Sequence, residues 1–166
     1  AMFDLPCKDE QDKIASFLSC LNRRIEYQRT LVDALKKYKR GVNKQLLSQI
    51  DNSCNCRLGS ICEIVGGGTP DTLHAEYWGS TVEWFTPSEI GKAKYVSSSA
   101  RKLSDIGLNN SSAKLLPIGT VLLTTRATLG EMSIAKRECC TNQGFQSLIP
   151  HQDRVLSEYL YYTQIF

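Results

Sequence analysis

The 166-residue chain has few of the residues from which common enzyme sites are built. Its two histidines, His74 and His151, stand neither beside a nucleophile nor in a metal-ligand spacing. The serines at 97–99 form no nucleophile elbow, and the carboxylates form no pair arranged for acid and base catalysis. The sequence therefore predicts a binding protein without catalytic residues.

Long apolar runs are also missing. No run approaches the roughly 18 residues that a membrane-spanning helix needs, and no basic segment with an apolar core follows Met2. The sequence thus supports neither membrane spanning nor secretion, and we expect a cytoplasmic protein.

The seven cysteines include no C-x-x-C pair. An odd number without regular spacing favours reduced thiols over a disulfide framework. One alternative is a zinc site drawn from Cys54, Cys56, Cys139 and Cys140, although their spacing is not that of known zinc ligands. We expect no metal and no cofactor.

Two further motifs lack the residues that their chemistry needs. Glycines 66–68 are similar to a phosphate loop, but the Lys and Ser/Thr that hold phosphates and magnesium are absent. Residues 142–145 are partly similar to an amino-methyltransferase motif, but its prolines are missing and no glycine-rich loop for a methyl donor follows a strand. The sequence therefore does not support nucleotide binding or methyl transfer.

The first third of the chain carries a coiled-coil pattern. From Ile14 to Gln49 a residue recurs on one seam at alternating steps of four and three, and eight of the eleven seam positions are apolar. The segment has no proline and only Gly41 among glycines, so we predict one helix on the order of 50 Å long. It should begin just after Pro6 and end near Asp51.

A seam of this kind is buried only when a second helix covers it. We predict dimerisation through nine seam positions, namely Leu18, Leu21, Ile25, Gln28, Val32, Leu35, Lys39, Val42 and Leu46. The alternative is an amphipathic helix that lies on its own domain.

Charge along the helix favours an antiparallel partner. Residues 1–51 carry ten basic and seven acidic residues, whereas the rest of the chain carries ten of each, so the helix holds the whole excess of +3. Acidic residues gather at its start and basic residues toward its end, and an antiparallel copy would bring them together. In one such register Gln28 faces Lys39 and Val32 faces Leu35, and other registers stay open.

The part after the turn-rich segment 51–55 predicts a mixed, β-rich domain. Strands are expected at residues 57–65, 82–86, 95–96, 120–125, 132–135 and 146–149, and helices at 104–109 and 155–166. The predicted fold class is α+β, with a long coiled-coil helix at 5–51 followed by a globular domain at 55–166.

Short motifs then follow one another in an order that resembles the specificity subunits of type I restriction-modification systems. The helical spacer of that family is similar to Leu5-Pro6, to Glu10, Gln11, Ile14, Ala15, Phe17 and Leu18, and to residues 35–37. Its target recognition domain is similar to residues 67–70 (GGTP), 77–79 (YWG), 82–86 (VEWFT), 112–117 (SAKLLP), 119–122 (GTVL), 126–130 (RATLG) and 141–145 (TNQGF).

The resemblance implies a non-catalytic subunit that reads one half of a split double-stranded DNA target while the helix sets the spacing of the halves. It also implies methyltransferase and restriction partner subunits, which would carry out methylation and cleavage. Complete family members have two recognition domains and two spacer helices. We therefore expect either a half-length subunit that forms a homodimer through antiparallel helices, or a truncated piece of a longer protein.

Two other functions stay open at this point. The first is a coiled-coil protein-interaction module whose β-rich domain binds another protein. The second, a nuclease or methyltransferase that acts alone, has less support because metal and methyl-donor motifs are missing.

The second part of the chain gathers basic residues at 91–102, a segment without acidic residues. Such a loop suits phosphate contacts, although a solvated basic loop would have the same composition. We predict DNA binding by Lys92, Lys94, Ser97, Arg101, Lys102, Arg126, Lys136 and Arg137.

Base reading is expected in loops around residues 92–101 and 131–141. Four polar side chains are further candidates for contacts with base edges: Thr86, Ser88, Asn142 and Gln143. Motif residues are expected to hold the fold first, and these are Gly67, Gly68, Thr69, Pro70, Trp78, Trp84, Asn142 and Phe145.

Overall fold

The structure, a computed structural model, describes residues 5–50 and 55–163. The chain divides into two compact units, Ala1–Asp51 and Asn52–Phe166. Residues 51–54 of the break predicted at 51–55, and the last three residues of the helix predicted to reach residue 166, lie outside the described residues.

The first unit contains one helix, α1 (Lys8–Ser48), of 41 residues. At a rise of 1.5 Å per residue it is about 60 Å long. Its start is set by Cys7, whose backbone N–H donates to the Glu10 carboxylate over 3.2 Å, and by acidic residues in the first turn. The prediction of one long N-terminal helix is confirmed.

The heptad seam of α1 is exposed. Seven of its eight apolar members have between 39% and 60% of their surface accessible, and the eighth, Val42, is half-buried. The exposed seven are Ile14, Leu18, Leu21, Ile25, Val32, Leu35 and Leu46. The apolar stripe is wider than the seam, because the neighbouring g positions Phe17, Leu31 and Tyr38 are also apolar and exposed. The stripe is therefore accessible to another helix.

The second unit is a mixed α+β domain, as predicted. Its strands are β1 (Cys62–Gly66), β2 (Trp78–Gly79), β3 (Val82–Phe85), β4 (Tyr95–Val96), β5 (Arg101–Leu103), β6 (Val121–Leu123), β7 (Met132–Ala135), β8 (Cys139–Thr141) and β9 (Gln146–Pro150). Its helices are α2 (Asp105–Asn109) and α3 (Ser157–Thr163), with 3-10 turns at Leu58–Ser60, Ala75–Tyr77 and Pro87–Glu89.

Within the described residues the strands form two sheets. The five-stranded sheet has the order β1-β9-β6-β7-β4, and the four-stranded sheet has the order β2-β5-β3-β8. Most pairs are antiparallel, but β3 pairs with β8 in parallel, with Phe85 opposite Thr141. Because parallel strands end at the same edge, the residues that follow β3 and β8 lie side by side.

The core is built around β6, which is buried on both faces. Val121 and Leu123 pack with Leu160 of α3 on one side, while Leu122 packs with Phe85 and the residues between the sheets on the other. A strand covered on both faces needs apolar residues throughout, which explains why this segment is the most apolar strand of the chain.

Three strands were not predicted: β2, which has only two residues, β5 and β8. β5 has the sequence RKL and β8 the sequence CCT, so neither shows the alternation of apolar and polar residues that indicates a strand. The strand predicted at 57–65 instead begins with a 3-10 turn and is extended only from Cys62, and the last helix begins at Ser157. The predicted strands at 82–86, 95–96, 120–125, 132–135 and 146–149 and the helix at 104–109 are confirmed within two residues.

No helix in the described part of the chain is long and apolar enough to cross a membrane.

The two histidines are surface residues. His74 is exposed and its ring nitrogen Nδ1 lies 2.9 Å from Glu76 Oε1, and His151 is exposed as well.

Candidate nucleic-acid interface

The glycine run packs against the end of β8. A Cβ atom on Gly67 would lie 1.9 Å from the backbone oxygen of Asn142, and one on Gly68 would lie 2.4 Å from the backbone oxygen of Ser112. The Gly68 N–H also donates to Thr141 O over 2.8 Å. Only glycine allows so close an approach, which fits the scaffold role expected for both residues.

Six polar side chains lie where β3 and β8 end, and we call them the polar edge. Its members are Thr69, Thr86, Ser88, Arg126, Asn142 and Gln143. The Asn142 N–H donates to Phe85 O over 3.1 Å and so continues the β3–β8 pairing past the ends of the strands. This pairing holds the segments after β3 and β8 together.

Hydrogen bonds order the side chains of the polar edge. The Thr69 hydroxyl donates to the Gln143 amide oxygen, which leaves the amide NH₂ as a donor. The hydroxyl oxygens of Thr86 and Ser88 are 3.1 Å apart. The Asn142 side-chain oxygen accepts the Gly144 N–H over 2.9 Å. The edge therefore presents donors and acceptors in fixed positions.

Arg126 joins the polar edge through a strained turn. The Thr128 N–H donates to Arg126 O over 2.8 Å, and Ala127 between them has a φ of 62°. Such γ-turns are rare, and their strain persists only where the surrounding contacts fix them. The Thr128 hydroxyl donates to Pro87 O over 3.2 Å, and a Cβ atom on Gly144 would lie 3.7 Å from Arg126 Cβ. Arg126 is thereby held beside the segments that follow β3 and β8, with its side chain exposed.

Lys102 lies in β5 and forms an ion pair inside the domain. Its ammonium nitrogen is 2.7 Å from Oε1 of Glu83, which is 5% exposed. Ser99 donates to Glu83 Oε2 from its backbone N–H over 2.7 Å and from its hydroxyl over 2.8 Å. Burial by itself would raise the pKa of the Glu83 carboxyl, but the hydrogen bonds from Lys102 and Ser99 outweigh it and lower that pKa below its usual value. The sequence did not indicate this structural role, and the DNA contact of Lys102 stays a prediction.

Lys94 and Lys136 share an aromatic cluster. The Lys136 ammonium lies 4.8 Å from the centre of the Tyr95 ring, and that of Lys94 lies 5.0 Å from the same ring. Lys94 also donates to the Tyr162 hydroxyl over 3.3 Å, and the Tyr95 hydroxyl donates to Glu158 Oε1 over 2.8 Å. These contacts join β4 and β7 to α3 and fix two of the predicted DNA-binding cations in one place.

Arg101 lies over the ring of Trp78, with its guanidinium carbon 3.4 Å from the ring centre. It was expected in a loop, but it belongs to β5 and pairs with Trp84 of β3. The other predicted DNA-binding residues, Lys92, Ser97 and Arg137, are exposed. Trp78 was expected to hold the fold, but its contact with Arg101 and the ion pair of Glu83 with Lys102 were not predicted, although the motifs YWG and VEWFT contain Trp78 and Glu83.

The loop expected at residues 131–141 is largely strand. β7 and β8 are buried throughout, and only residues 131 and 136–138 are exposed. Base reading by most of this segment is therefore excluded by its burial. The exposed turn keeps two predicted cations, Lys136 and Arg137.

The vicinal cysteines are buried thiols. Cys139 and Cys140 pack into different core clusters, as neighbouring residues of a strand do. Burial raises the pKa of the Cys139 thiol to about 12 and that of the Cys140 thiol to about 11, so both stay protonated near neutral pH. Among residues 5–50 and 55–163 no group of three or more metal-binding side chains occurs, and Cys54 of the zinc alternative lies outside these ranges.

Residues 50–166 match the family model described as the type I restriction modification DNA specificity domain. The chain is 42% identical over 108 residues to the type I restriction enzyme MjaIX specificity subunit of Methanocaldococcus jannaschii, a match that covers 64% of this chain and 25% of that subunit. It is 26% identical to the type I restriction enzyme EcoR124I/EcoR124II specificity subunit of Escherichia coli, with 95% of this chain and 42% of that subunit covered.

The fold is similar to the crystal structure of the HsdS subunit from Thermoanaerobacter tengcongensis. The TM-score is 0.55 at 20% sequence identity, and the match covers 96% of this chain and 41% of that chain. This chain therefore spans less than half the length of each of these three proteins.

The ion pair gives a prediction for stability. Lys102→Met leaves the Glu83 carboxyl buried without its cation, and we expect a loss of about 2 kcal/mol in the free energy of unfolding at pH 7, a value reduced for the partial exposure of Lys102. Urea denaturation measures this loss. In the control E83Q/K102M the glutamine oxygen still accepts both Ser99 hydrogen bonds, so most of the stability should return.

The same pair predicts a pH dependence. Because the pKa of Glu83 is lowered in the folded domain, its contribution is present above the unfolded carboxyl pKa of about 4.3 and is lost as the pH falls through the lower folded value. The difference between K102M and the parent should therefore shrink in acid. A K102M variant as stable as the parent at pH 7 would contradict the assignment.

Proposed function

The chain belongs to the type I restriction-modification DNA specificity family, and on that premise we propose that it recognises one half of a split DNA sequence without catalysing a reaction. The observation that carries this proposal is the polar edge. Its side chains come from four separate segments of the chain and are held by strand pairing, hydrogen bonds and a strained turn. Rigid elements of this kind place recognition groups accurately.

The polar edge has the chemistry needed to read bases. A guanidinium such as that of Arg126 can donate two hydrogen bonds to guanine O6 and N7, and amides such as those of Asn142 and Gln143 can pair with adenine N6 and N7. The Ser88 hydroxyl can donate or accept. These groups, rather than the residues of β7 and β8, are the candidates for direct base contacts.

The basic residues around the edge suit phosphate contacts. Lys92, Lys94, Arg101, Lys136 and Arg137 would position the duplex without reading its sequence, with Ser97 as a neutral donor and Lys102 as a weaker candidate because of its ion pair. Arg126 can serve in either role.

We assign no catalytic residue and no cofactor to this chain. Relatives of this family are named specificity subunits of type I restriction enzymes. Methylation and cleavage would belong to methyltransferase and restriction partner subunits, and the complex would act on DNA in the cytoplasm. The alternative of a coiled-coil protein-interaction module finds no support in the family to which the chain belongs.

Helix α1 would pair with a second copy of itself and set the spacing between two recognition domains, each formed by residues 55–166. The exposed seam supports this pairing, and the charge gradient along residues 5–51 favours the antiparallel direction. The additional apolar g positions Phe17, Leu31 and Tyr38 make the stripe wider than one partner helix needs, which leaves surface for a partner subunit.

Charge reversal tests DNA binding. The triple variant K92E/K94E/R101E should weaken binding to random-sequence duplex across all sequences, because it replaces three phosphate contacts with repulsion. A mobility-shift titration at several salt concentrations, with and without a methyltransferase subunit, measures the effect. The slope of log K against log salt, which is negative, should become less steep by about three because three phosphate contacts are lost.

Arg57→Glu is the control for that experiment, since Arg57 is an exposed basic residue outside the predicted set. It should change binding much less than the triple variant. The proposed function would be contradicted if the chain bound duplex tightly and neither salt nor the triple charge reversal changed the binding constant.

The helix predicts an oligomeric state. The parent chain should be a dimer at micromolar concentration, whereas Leu35→Glu should be a monomer because it places a charge in the apolar seam. Sedimentation equilibrium measures both masses. Lys37→Glu, on the opposite face of the helix, should stay dimeric; a monomeric parent, or a dimer that survives L35E, would contradict the pairing.

A further inference from the structure

The Arg101 guanidinium stacks on the ring of Trp78 in the four-stranded sheet. We propose that Trp78 is a positioning residue that holds the Arg101 guanidinium ready to bind a phosphate of the DNA backbone beside the polar edge. The inference rests on the proposed function, and it distinguishes Arg101 from the other cations of the domain.

The aromatic platform under Arg101 is fixed. Trp78 meets Trp84 edge to face, with ring centres 5.1 Å apart and an angle of 82° between the rings. Trp84 is 4% exposed, and its indole N–H donates to Gly68 O over 3.0 Å. Since Gly68 itself packs on the end of β8, the platform is connected to the core of the domain.

The backbone of Arg101 is fixed as well. β5 pairs with β3 on one side and with β2 on the other, and Arg101 faces Trp84. The Arg101 carbonyl oxygen lies 2.6 Å from the Ser99 hydroxyl oxygen, whose one hydrogen is shared between this carbonyl and Glu83. The preceding Ala100 N–H donates to Glu89 Oε1 over 2.7 Å. The backbone of Arg101 is held by strand pairing and its guanidinium by Trp78. The side chain therefore loses little conformational entropy when an anion binds.

The stack leaves the edge of the guanidinium open. Within the described residues no hydrogen bond or ion pair engages this group, and its contacts are with the rings of Trp78 and Trp84. Arg101 lines a surface cleft of about 480 Å³ together with Ser80 and Lys102. Because Lys102 is paired with the buried Glu83, Arg101 supplies the charge at this cleft, and the exposed Ser80 can add a hydroxyl donor.

These groups favour a phosphodiester as the ligand. A planar guanidinium with two parallel N–H donors matches two phosphate oxygens, and hydroxyl groups are common additional donors to the DNA backbone. The cleft also lies close to the polar edge along the chain, since Trp84 is two residues before Thr86 and Gly68 directly precedes Thr69. The phosphate bound here would therefore flank the bases that the polar edge reads.

The test uses the full chain with its methyltransferase subunit and a short random-sequence duplex in mobility-shift titrations. Arg101→Lys keeps the charge but loses the planar fork, and Trp78→Leu removes the ring beneath it; each should weaken binding about tenfold. Trp78→Phe keeps an aromatic face and should bind within about twofold of the parent. In the described residues the Trp78 indole N–H has no hydrogen-bond partner that phenylalanine would forfeit.

Salt dependence separates a phosphate contact from a structural role. Arg101→Ala should reduce the slope of log K against log salt by about one, whereas R101K should keep the slope because the charge remains. Arg57→Lys is the matched control and should leave affinity unchanged. If W78L does not fold, as judged by thermal denaturation, R101K and R101A still decide the outcome.

Three results would overturn the inference. The first is R101K binding as tightly as the parent, and the second is W78F losing as much affinity as a folded W78L. The third is competition by inorganic phosphate beyond that of sodium chloride at equal ionic strength, which would assign the cleft to free phosphate. If the parent complex itself bound no duplex, the proposed function would be contradicted. If the parent binds but one of the three results above is found, only the inference about Trp78 and Arg101 fails.

Discussion

The parallel pairing of β3 with β8 is the constraint on which the candidate site depends. It brings two segments that are far apart in sequence to the same sheet edge, where Thr86 and Asn142 follow Phe85 and Thr141. Gly67 then packs on the end of β8, and Gly68 packs on Ser112, so closely that no side chain could replace their hydrogen atoms. With the strands antiparallel, the residues that follow them would lie at opposite edges and no polar edge would form.

Different local contacts explain why the basic residues of the domain are not equivalent. Lys102 neutralises the nearly buried Glu83, Lys94 lies among tyrosines, and Arg101 lies on a half-buried tryptophan that packs against the core. All charged residues of the segment 91–102 are basic, but the three environments give the cations different conformational freedom. A pre-positioned guanidinium binds an anion more tightly than a mobile ammonium of the same charge, because it loses less conformational entropy on binding.

The sequence could predict the elements whose residues repeat with a clear period. The heptads of α1 and the apolar runs of β6, β7 and β9 specify their own conformation, and the order of short motifs indicated the family. β5 and β8 could not be predicted, because RKL and CCT become strands only through partners elsewhere in the chain. Thr86, Ser88, Asn142 and Gln143 could be named as candidates for base reading, but their assembly depends on β8. The sequence also gave no sign that the Lys102 charge is used inside the domain, because its partner Glu83 lies in a different strand.

The central claim is that a rigid polar edge reads one half-site while α1 fixes the distance to a second, symmetry-related half-site. Selection of bound duplexes from a randomised pool, with the chain and its methyltransferase subunit together, tests it most directly. The account predicts a short motif that recurs as an inverted repeat at one fixed spacing, because an antiparallel homodimer presents two identical domains related by a two-fold axis. A selected pool with no enriched motif, or with half-sites at random spacing, would contradict it.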